Sequence, residues 1–382
     1  MAGTATLGDV VAVLDALYDP RWAEPWDAVG LVCGDPDAPV RRVLFAVDPV
    51  EATVEEAVDG GYDLLVTHHP LYLRGTSSVA ATTPKGRLVH RLIRNGVALH
   101  VAHTNADVAD PGVSDALAAA IGLTGLVPLD PRPADPLDKI IAFVPRADAN
   151  RLVDALSAAG AGAIGDYTRC AFVADGTGTF LPGPGAQPAV GRVGEAAYVE
   201  EARVEMVLPR GRRAAVVQAL RAAHPYEEPA FDVLELALPP GPRGIGRVGR
   251  LAEPVPLSEF ARRVARALPA APVGVRASGD PDARIGTVAV CGGSGDSLLA
   301  AARRSGADAY VTADLRHHPA ADERAERRLA LVDAGHWATE WPWLADAAAR
   351  LRAGLAADGI TVEAVVSRAV TDPWTLHVPS SR

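Results

Sequence analysis

Two adjacent histidines, His68 and His69, follow the apolar run LLVT and precede Pro70. Neighbouring side chains alternate faces along a strand, but where the backbone turns at a strand end both can face one cleft. In α/β proteins that end is where ligands sit. The next apolar run, VALHVAHT, delivers His103, Asn105 and Asp107 at or just past its end. Near the C-terminus, LALVDAGHWATEW carries a strand pattern into a turn holding Gly335, His336 and Glu340. A His and a Glu four residues apart share one face of a helical turn and can reach a single ion. Pro342 is best tolerated in a first helical turn, so the pair is expected to straddle the strand-to-helix junction.

Each of these groups alone has an ordinary explanation: a capping Asp, a hydrogen-bonded His, an exposed Glu. Three His/carboxylate sets, each immediately after an apolar strand, point to a metal site. Three imidazoles with two carboxylates form a mixed N/O donor set suited to zinc, iron, manganese or nickel and poorly suited to magnesium. Five ligands overfill one catalytic zinc that keeps an open position, and they suit two ions bridged by a carboxylate. Such pairs stand about 3.5–4 Å apart and lower the pKa of bound water toward about 7.

The elements that must position these residues alternate in type. Strand patterns over 40–48, 62–69 and 97–104 alternate with helical ones over 51–61, 86–96 and 112–122, which predicts βαβ units and a sheet covered by helices. Residues 126–138 carry prolines without periodicity and read as a linker, as do 237–244. Between them, two β-α-β sets over 139–175 and 202–236 predict a small ferredoxin-like domain with a long loop at 179–194. The α/β pattern then returns with an internal echo: GYDLLVTHHP, opening at Gly61, is answered by GADAYVTADLRHHP, opening at Gly306. Duplication explains the match, giving two halves of one bilobed α/β domain, 1–128 and 245–382, with 139–236 inserted.

Five segments together resemble a known family: WDAVGL from Trp26, VTHHP from Val66, HTNAD from His103, HPYEEPAFD from His224 and GHWATE from Gly335. The chain is similar over essentially its whole length to the Nif-three-like dinuclear-metal proteins, also called GTP cyclohydrolase I type 2 homologs. The resemblance implies a bilobed α/β domain holding two divalent transition-metal ions (Zn, Fe, Mn or Ni) and assembled as a ring-shaped homohexamer. It also implies a PII/CutA-like inserted domain. The family's metal ligands fall on His68, His69, Asp107, His336 and Glu340. In that picture His69 and Asp107 serve one ion, His68 and His336 the other, and Glu340 bridges. His318 sits where the family has a cleft-lining histidine, and His103 is near; the resemblance assigns neither as a ligand. The implied activity is metal-dependent hydrolysis, with GTP, another nucleotide or another small molecule as substrate. Activated water would attack the carbon between the imidazole-ring nitrogens of guanine, with His103 or His318 as proton shuttle. The rival reading is a metal-holding or ligand-sensing assembly without chemistry of its own.

Composition narrows the partners. The 382 residues are 49% hydrophobic and 22% charged, too apolar for a disordered chain. No apolar run approaches the roughly 18 residues of a spanning helix. With 37 Lys and Arg against 47 Asp and Glu, the charge of −10 gives no electrostatic reason to expect nucleic acid. Cys33, Cys170 and Cys291 are scattered and form no CxxC pair, and the N-terminus lacks a basic signal region, so a reducing cytoplasm is expected. The GGSGD run from Gly292 lacks the lysine and spacing of a P-loop and reads as a tight turn.

Overall fold

The computed structural model describes residues 5–326 and 328–378. The chain divides into two compact units, Met1–Arg132 with Pro242–Arg382, and Pro133–Gly241.

In the first unit, helix α1 (Leu7–Leu17) is followed by β1 (Gly30–Cys33), β2 (Arg42–Ala46), α2 (Glu51–Asp59), β3 (Leu64–Thr67), α3 (Pro84–Arg94), β4 (Ala98–Val101), α4 (Thr104–Val108), α5 (Val113–Ala120) and β5 (Thr124–Pro133). The second unit contributes β6 (Leu137–Pro145), α6 (Ala149–Ala158), β7 (Phe172–Phe180), β8 (Ala197–Pro209), α7 (Arg213–Ala223) and β9 (Phe231–Glu235). The chain then returns through β10 (Pro240–Pro256), α8 (Leu257–Ala267), β11 (Arg276–Ser278), β12 (Arg284–Ser294), α9 (Leu299–Arg304), β13 (Ala309–Ala313), α10 (His317–Glu326), β14 (Ala330–Asp333), α11 (His336–Ala357) and β15 (Glu363–Val366).

Two sheets share the core of the first unit. One has the order β15-β2-β3-β4-β1, the other β11-β14-β13-β12-β10-β5. Side chains alternate faces with period 2. Val43, Phe45, Leu64 and Val66 therefore join Val288, Val290, Val311 and Val332 in one buried cluster with α1, α5, α8 and α11. The intervening Leu44, Ala46 and Leu65 turn the other way, onto α2 and α3. Ala289, Cys291 and Tyr310 likewise turn onto α9. Each fully buried Leu, Val or Phe contributes about 1.5–3 kcal/mol.

The two sheets repeat one plan. β2, β3 and β4 run parallel with β1 antiparallel at the edge; β12, β13 and β14 run parallel with β11 antiparallel at the edge. The sequence echo has a physical reason in each copy. Gly61 (φ +64) and Gly306 (φ +75) both take the left-handed backbone that glycine alone adopts without strain. Asp63 Oδ2 accepts from the amides of Arg41 and Arg42 at 2.7 and 2.9 Å, and Asp308 Oδ2 from those of Gly286 and Thr287 at 2.9 and 2.8 Å. Each Asp thus pins the start of the neighbouring strand.

Both expected linkers are corrected. Most of 126–138 is strand β5 and the end of 237–244 is strand β10, neighbours in the second sheet. β5 lies at the sheet edge, where a proline's missing N–H costs no ladder bond. In the second unit the chain order β-α-β-β-α-β closes a four-stranded antiparallel sheet, β9-β6-β8-β7, over its own core of Ile140, Leu152, Val204 and Leu220. No helix among the described residues is long and apolar enough to cross a membrane.

Helix α11 begins at His336, with Gly335 (φ 81) before it, so Pro342 lies in its second turn and not its first. The buried stripe Trp337, Glu340, Trp343, Leu344, Ala347, Leu351 and Leu355 follows helical spacing. Packing along it outweighs the roughly 3 kcal/mol that an interior proline costs.

Candidate metal centre

The C-terminal ends of β3, β4 and β14 deliver the donors. His68 and His69 leave β3, His103 caps α4 beyond β4, Asp107 sits within α4, and His336 and Glu340 occupy the first turns of α11. His68 and Glu340 are buried; Asp107, His69, His103 and His336 are partly so.

Every imidazole is held by its Nδ1. His69 Nδ1 is 2.7 Å from Asp48 Oδ1, His336 Nδ1 2.6 Å from Asp314 Oδ2, His103 Nδ1 2.8 Å from Asp27 Oδ1, and His68 Nδ1 3.0 Å from the Ala102 carbonyl. An acceptor at Nδ1 places the proton there and leaves Nε2 as a lone-pair donor, which is how metal-ligating histidines are oriented. The Nε2 atoms converge. His69 Nε2 and His336 Nε2 are 3.2 Å apart. Glu340 reaches His336 at 3.0 Å and His68 at 3.5 Å through Oε1, and His69 at 3.1 Å through Oε2. Asp107 Oδ1 stands 3.8 Å from His68 Nε2. Two sets of donor atoms lie within 4.8 Å of one another: His68, His69 and His103, and His69, His336 and Glu340. The resemblance instead groups His68 with His336, and His69 with Asp107.

These residues fit a divalent ion. Nε2 of His68 and Oε2 of Glu340 are buried and make no hydrogen bond, an arrangement that costs about 1–3 kcal/mol per group without a further partner. The electrostatics agree. Burial disfavours charge on His69 and His336, yet Glu340 and the carboxylates of Asp48 and Asp314 raise them to about 10 and about 11. Burial works against the Glu340 carboxylate too, but the surrounding imidazoles hold it well below the usual range. Burial pushes Asp107 up. A pocket that draws protons onto imidazoles to satisfy a buried carboxylate offers the same field to a cation.

Sequence reasoning missed four contributors. Asp48 ends the strand run VLFAVD, Asp314 ends the echoed VTAD, and Asp27 lies in WDAVGL; none has a spacing that announces its histidine. The fourth is Gly293 (φ +66), where an added Cβ would lie 2.2 Å from Glu340 Oε1 and 3.0 Å from His336 Nε2. Its amide donates to Thr339 Oγ1 at 2.9 Å, so the first part of the GGSGD run is not the expected tight turn but the end of β12, and it walls the cluster. Asn105 is buried and donates to the Tyr18 carbonyl at 2.6 Å, a structural role. Trp343 is core, its Nε1 3.2 Å from the Tyr18 hydroxyl, and Trp341 donates to the Ser367 carbonyl at 3.2 Å.

His318 does not join the cluster. It is exposed on α10 beside His317 and lines no part of the cavity over the metal-capable groups. The extra residues between VTAD and the second His-His-Pro carry that pair off the strand end into a helix. The cavity has a volume of about 800 Å³ and is lined by His69, His103, His336, Lys85, Arg276 and Trp374, among others.

A model of the DUF34/NIF3 (NGG1p interacting factor 3) family matches residues 5–373. The chain belongs to the DUF34/NIF3 family. It is 53% identical over 98% of both chains to a GTP cyclohydrolase 1 type 2 homolog of Mycobacterium tuberculosis. To that of Bacillus subtilis it is 38% identical, over 88% of this chain and 90% of the other. A Bacillus cereus protein related to NIF3 superposes with a TM-score of 0.82 at 35% identity, covering 98% of this chain and all of that one. The mixed α/β plan with several sheets is that of this DUF34/NIF3 relative.

Proposed function

We propose that this DUF34/NIF3 chain is a metal-dependent hydrolase that holds two divalent transition-metal ions (zinc, iron, manganese or nickel) with His68, His69, Asp107, His336 and Glu340. The observation that carries this is the convergence of Nε2 atoms, each fixed by an acceptor at Nδ1, upon a buried carboxylate. Bound there, the ions supply Lewis-acid polarisation and water of lowered pKa, near about 7. The chain's own residues do the rest. Asp48 and Asp314 keep His69 and His336 in one tautomer. Asp27 does the same for His103, whose Nε2 is the group placed to accept and return a proton beside the cavity. The relatives' name suggests GTP or a related nucleotide as substrate, and Lys85 and Trp374 give the cavity a cation and an aromatic face for a phosphorylated ring compound, while Arg276 in the same lining is paired with Asp333 at 2.6 Å.

We read the two sheets as a duplicated, bilobed α/β domain and the inserted unit as ferredoxin-like of the PII/CutA kind; the repeated plan and the strand order support this. A ring-shaped homohexamer in the cytoplasm, acting without nucleic acid, completes the reading. A second reading, a regulatory assembly that holds metal and senses a ligand, draws support from a separate cavity inside the inserted unit. Elemental analysis and light scattering of the purified protein, followed by formate release from GTP and a phosphoester panel, test the proposal. Activity that disappears with chelation and falls about 10²–10⁴-fold in His103→Ala at unchanged metal content supports the hydrolase. Inactivity of a fully metallated protein across the panel favours the second reading.

A further inference from the structure

The inserted unit carries an open cavity of about 470 Å³, lined in part by the HPYEEPAFD segment. His224 is consumed by structure: its Nε2 is 2.8 Å from the Phe143 carbonyl, and its Nδ1 accepts from the Tyr226 amide at 3.1 Å. That bracket sets the Tyr226 ring edge-on to Phe180, with centroids 5.8 Å apart. Glu227 accepts from the Gln187 amide at 2.8 Å and ties down the loop after β7. The walls are therefore rings (Phe143, Phe180, Tyr226), and the polar groups are carboxylates: Glu201, Glu227 and Glu228.

Glu201 is the telling member. It is 9% exposed and takes one hydrogen bond, from the Tyr226 hydroxyl to Oε1 at 2.9 Å. Burial, and then this bond, pushes the Tyr226 hydroxyl well above its ordinary value, so it stays a donor. Oε2 of Glu201 faces Gly178, where an added Cβ would stand 2.1 Å away; the glycine leaves that oxygen its room. Among the described residues no lysine, arginine or histidine pairs with Glu201, Glu227 or Glu228; the nearby Lys139 and Arg203 pair with Glu205 instead. A carboxylate that is nine-tenths buried without a counter-charge is costly. Aromatic faces beside it favour a cation with an apolar body, since ring quadrupoles attract positive charge. An anion finds three carboxylates and no donor cation here. A divalent metal ion wants several oxygens in one shell, and one oxygen each of Glu201 and Glu227 is already engaged.

We propose that this cavity binds a small organic cation, an ammonium or amidinium group on an apolar or aromatic body, with Glu201 as its counter-charge and Tyr226 and Phe180 as its walls. The site is independent of the metal cluster and of any hydrolase activity.

The test uses the full-length, metal-loaded protein and calorimetric titration with benzylammonium, against neutral benzyl alcohol and anionic benzoate. Saturable binding of benzylammonium at one site per chain is expected, in the range of roughly 0.01–1 mM for so small a ligand. It should be at least tenfold tighter than benzyl alcohol, with no binding of benzoate. Glu201→Gln should weaken it at least tenfold, and His336→Ala should leave it unchanged. Gly178→Ala crowds the same oxygen from the opposite strand and should reproduce the loss, which keeps the test decisive if Glu201→Gln does not fold. Equal affinity for the alcohol, an unaltered Glu201→Gln or Gly178→Ala variant, binding that vanishes in His336→Ala, or displacement by manganese alone would each overturn the proposal. So would the absence of saturable binding of benzylammonium, tetramethylammonium and guanidinium up to about 20 mM, well beyond the expected range.

Discussion

Gly293→Ala should weaken metal binding in addition to the cost its strained backbone imposes on the fold. At φ +66 an alanine pays about 1–2 kcal/mol for the left-handed backbone. Its methyl would also lie 2.2 Å from Glu340 Oε1, more than an ångström inside ordinary contact, and 3.0 Å from His336 Nε2. Glu340 must then swing away from all three imidazoles it faces. Misplacing a ligand or its support typically loses 10–100-fold in metal affinity, or about 1.4–2.7 kcal/mol. Gly306→Ala is the control: φ is +75, and nothing lies within 4 Å of the added carbon. Both variants should lower the melting temperature of the metal-free protein. Only Gly293→Ala should weaken zinc or manganese binding in competition with a chromogenic chelator. If the two variants bind metal equally well, the backbone at 293 does not shape the cluster and Glu340 is not held where it matters.

Glu340→Gln should lower occupancy of both ions, because its two oxygens face different imidazoles, whereas His336→Ala should mainly empty one; elemental analysis separates the two outcomes. Asp48→Asn and Asp314→Asn each weaken the anchor on one Nδ1 and should cost about 10–100-fold in metal affinity; the metal-free protein should lose stability too, because these carboxylates help hold the charged imidazoles. In the metal-free protein, His69 and His336 are raised to about 10 and about 11, so their charge stabilises the fold fully below about pH 6.5 and is lost as pH rises through those values. Metal binding runs the other way: at pH 7 loading should release protons from the imidazoles, and affinity should fall on acidification, as titration in buffers of different ionisation enthalpy would show. Replacing Pro133–Gly241 by a short Gly/Ser bridge between β5 and β10 should leave a soluble core that still binds metal; aggregation or loss of metal would mean that the segment belongs to that core.

What was legible in the sequence is whatever leaves a local signature. An apolar run followed by His-His-Pro, or a His and a Glu four apart after a strand, carries its meaning within ten residues. The structure brings His68, His69 and His336 around Glu340, while Asp107 stands 3.8 Å from His68 and His103, which no signature named as a ligand, joins one of the two donor sets. The orienting carboxylates leave no such trace, because Asp48 meets His69 from the end of another strand and Asp27 meets His103 across 76 positions. Gly293 read as a turn residue and lies instead at the end of β12; what makes it matter is Glu340 in a later helix that no periodicity ties to it. Proline misled twice. In 126–138 it suggested a linker where an edge strand tolerates it, and at position 342 it suggested a helix start where buried tryptophans hold an interior proline in place.

The repeated plan explains both the cluster and the exclusion of His318. In each sheet three parallel strands end toward the cluster, but corresponding ends do different work. The end of β3 gives the donors His68 and His69, while its counterpart β13 gives Asp314, which orients a donor and offers no imidazole. The end of β2 gives the orienting Asp48, and its counterpart β12 gives Gly293, which supplies only room. The ends of β4 and β14 both give a histidine and a carboxylate, His103 with Asp107 and His336 with Glu340. Glu340 lies deeper, among three imidazoles, whereas Asp107 approaches His68 from one side. The imbalance leaves the His103 side lining the open cavity and the Gly293 side sealed by backbone. A ligand entering that cavity therefore meets the edges of His69, His103 and His336 and not the buried His68, and substitutions at His103 should alter what happens in the cavity before they alter what the cluster holds.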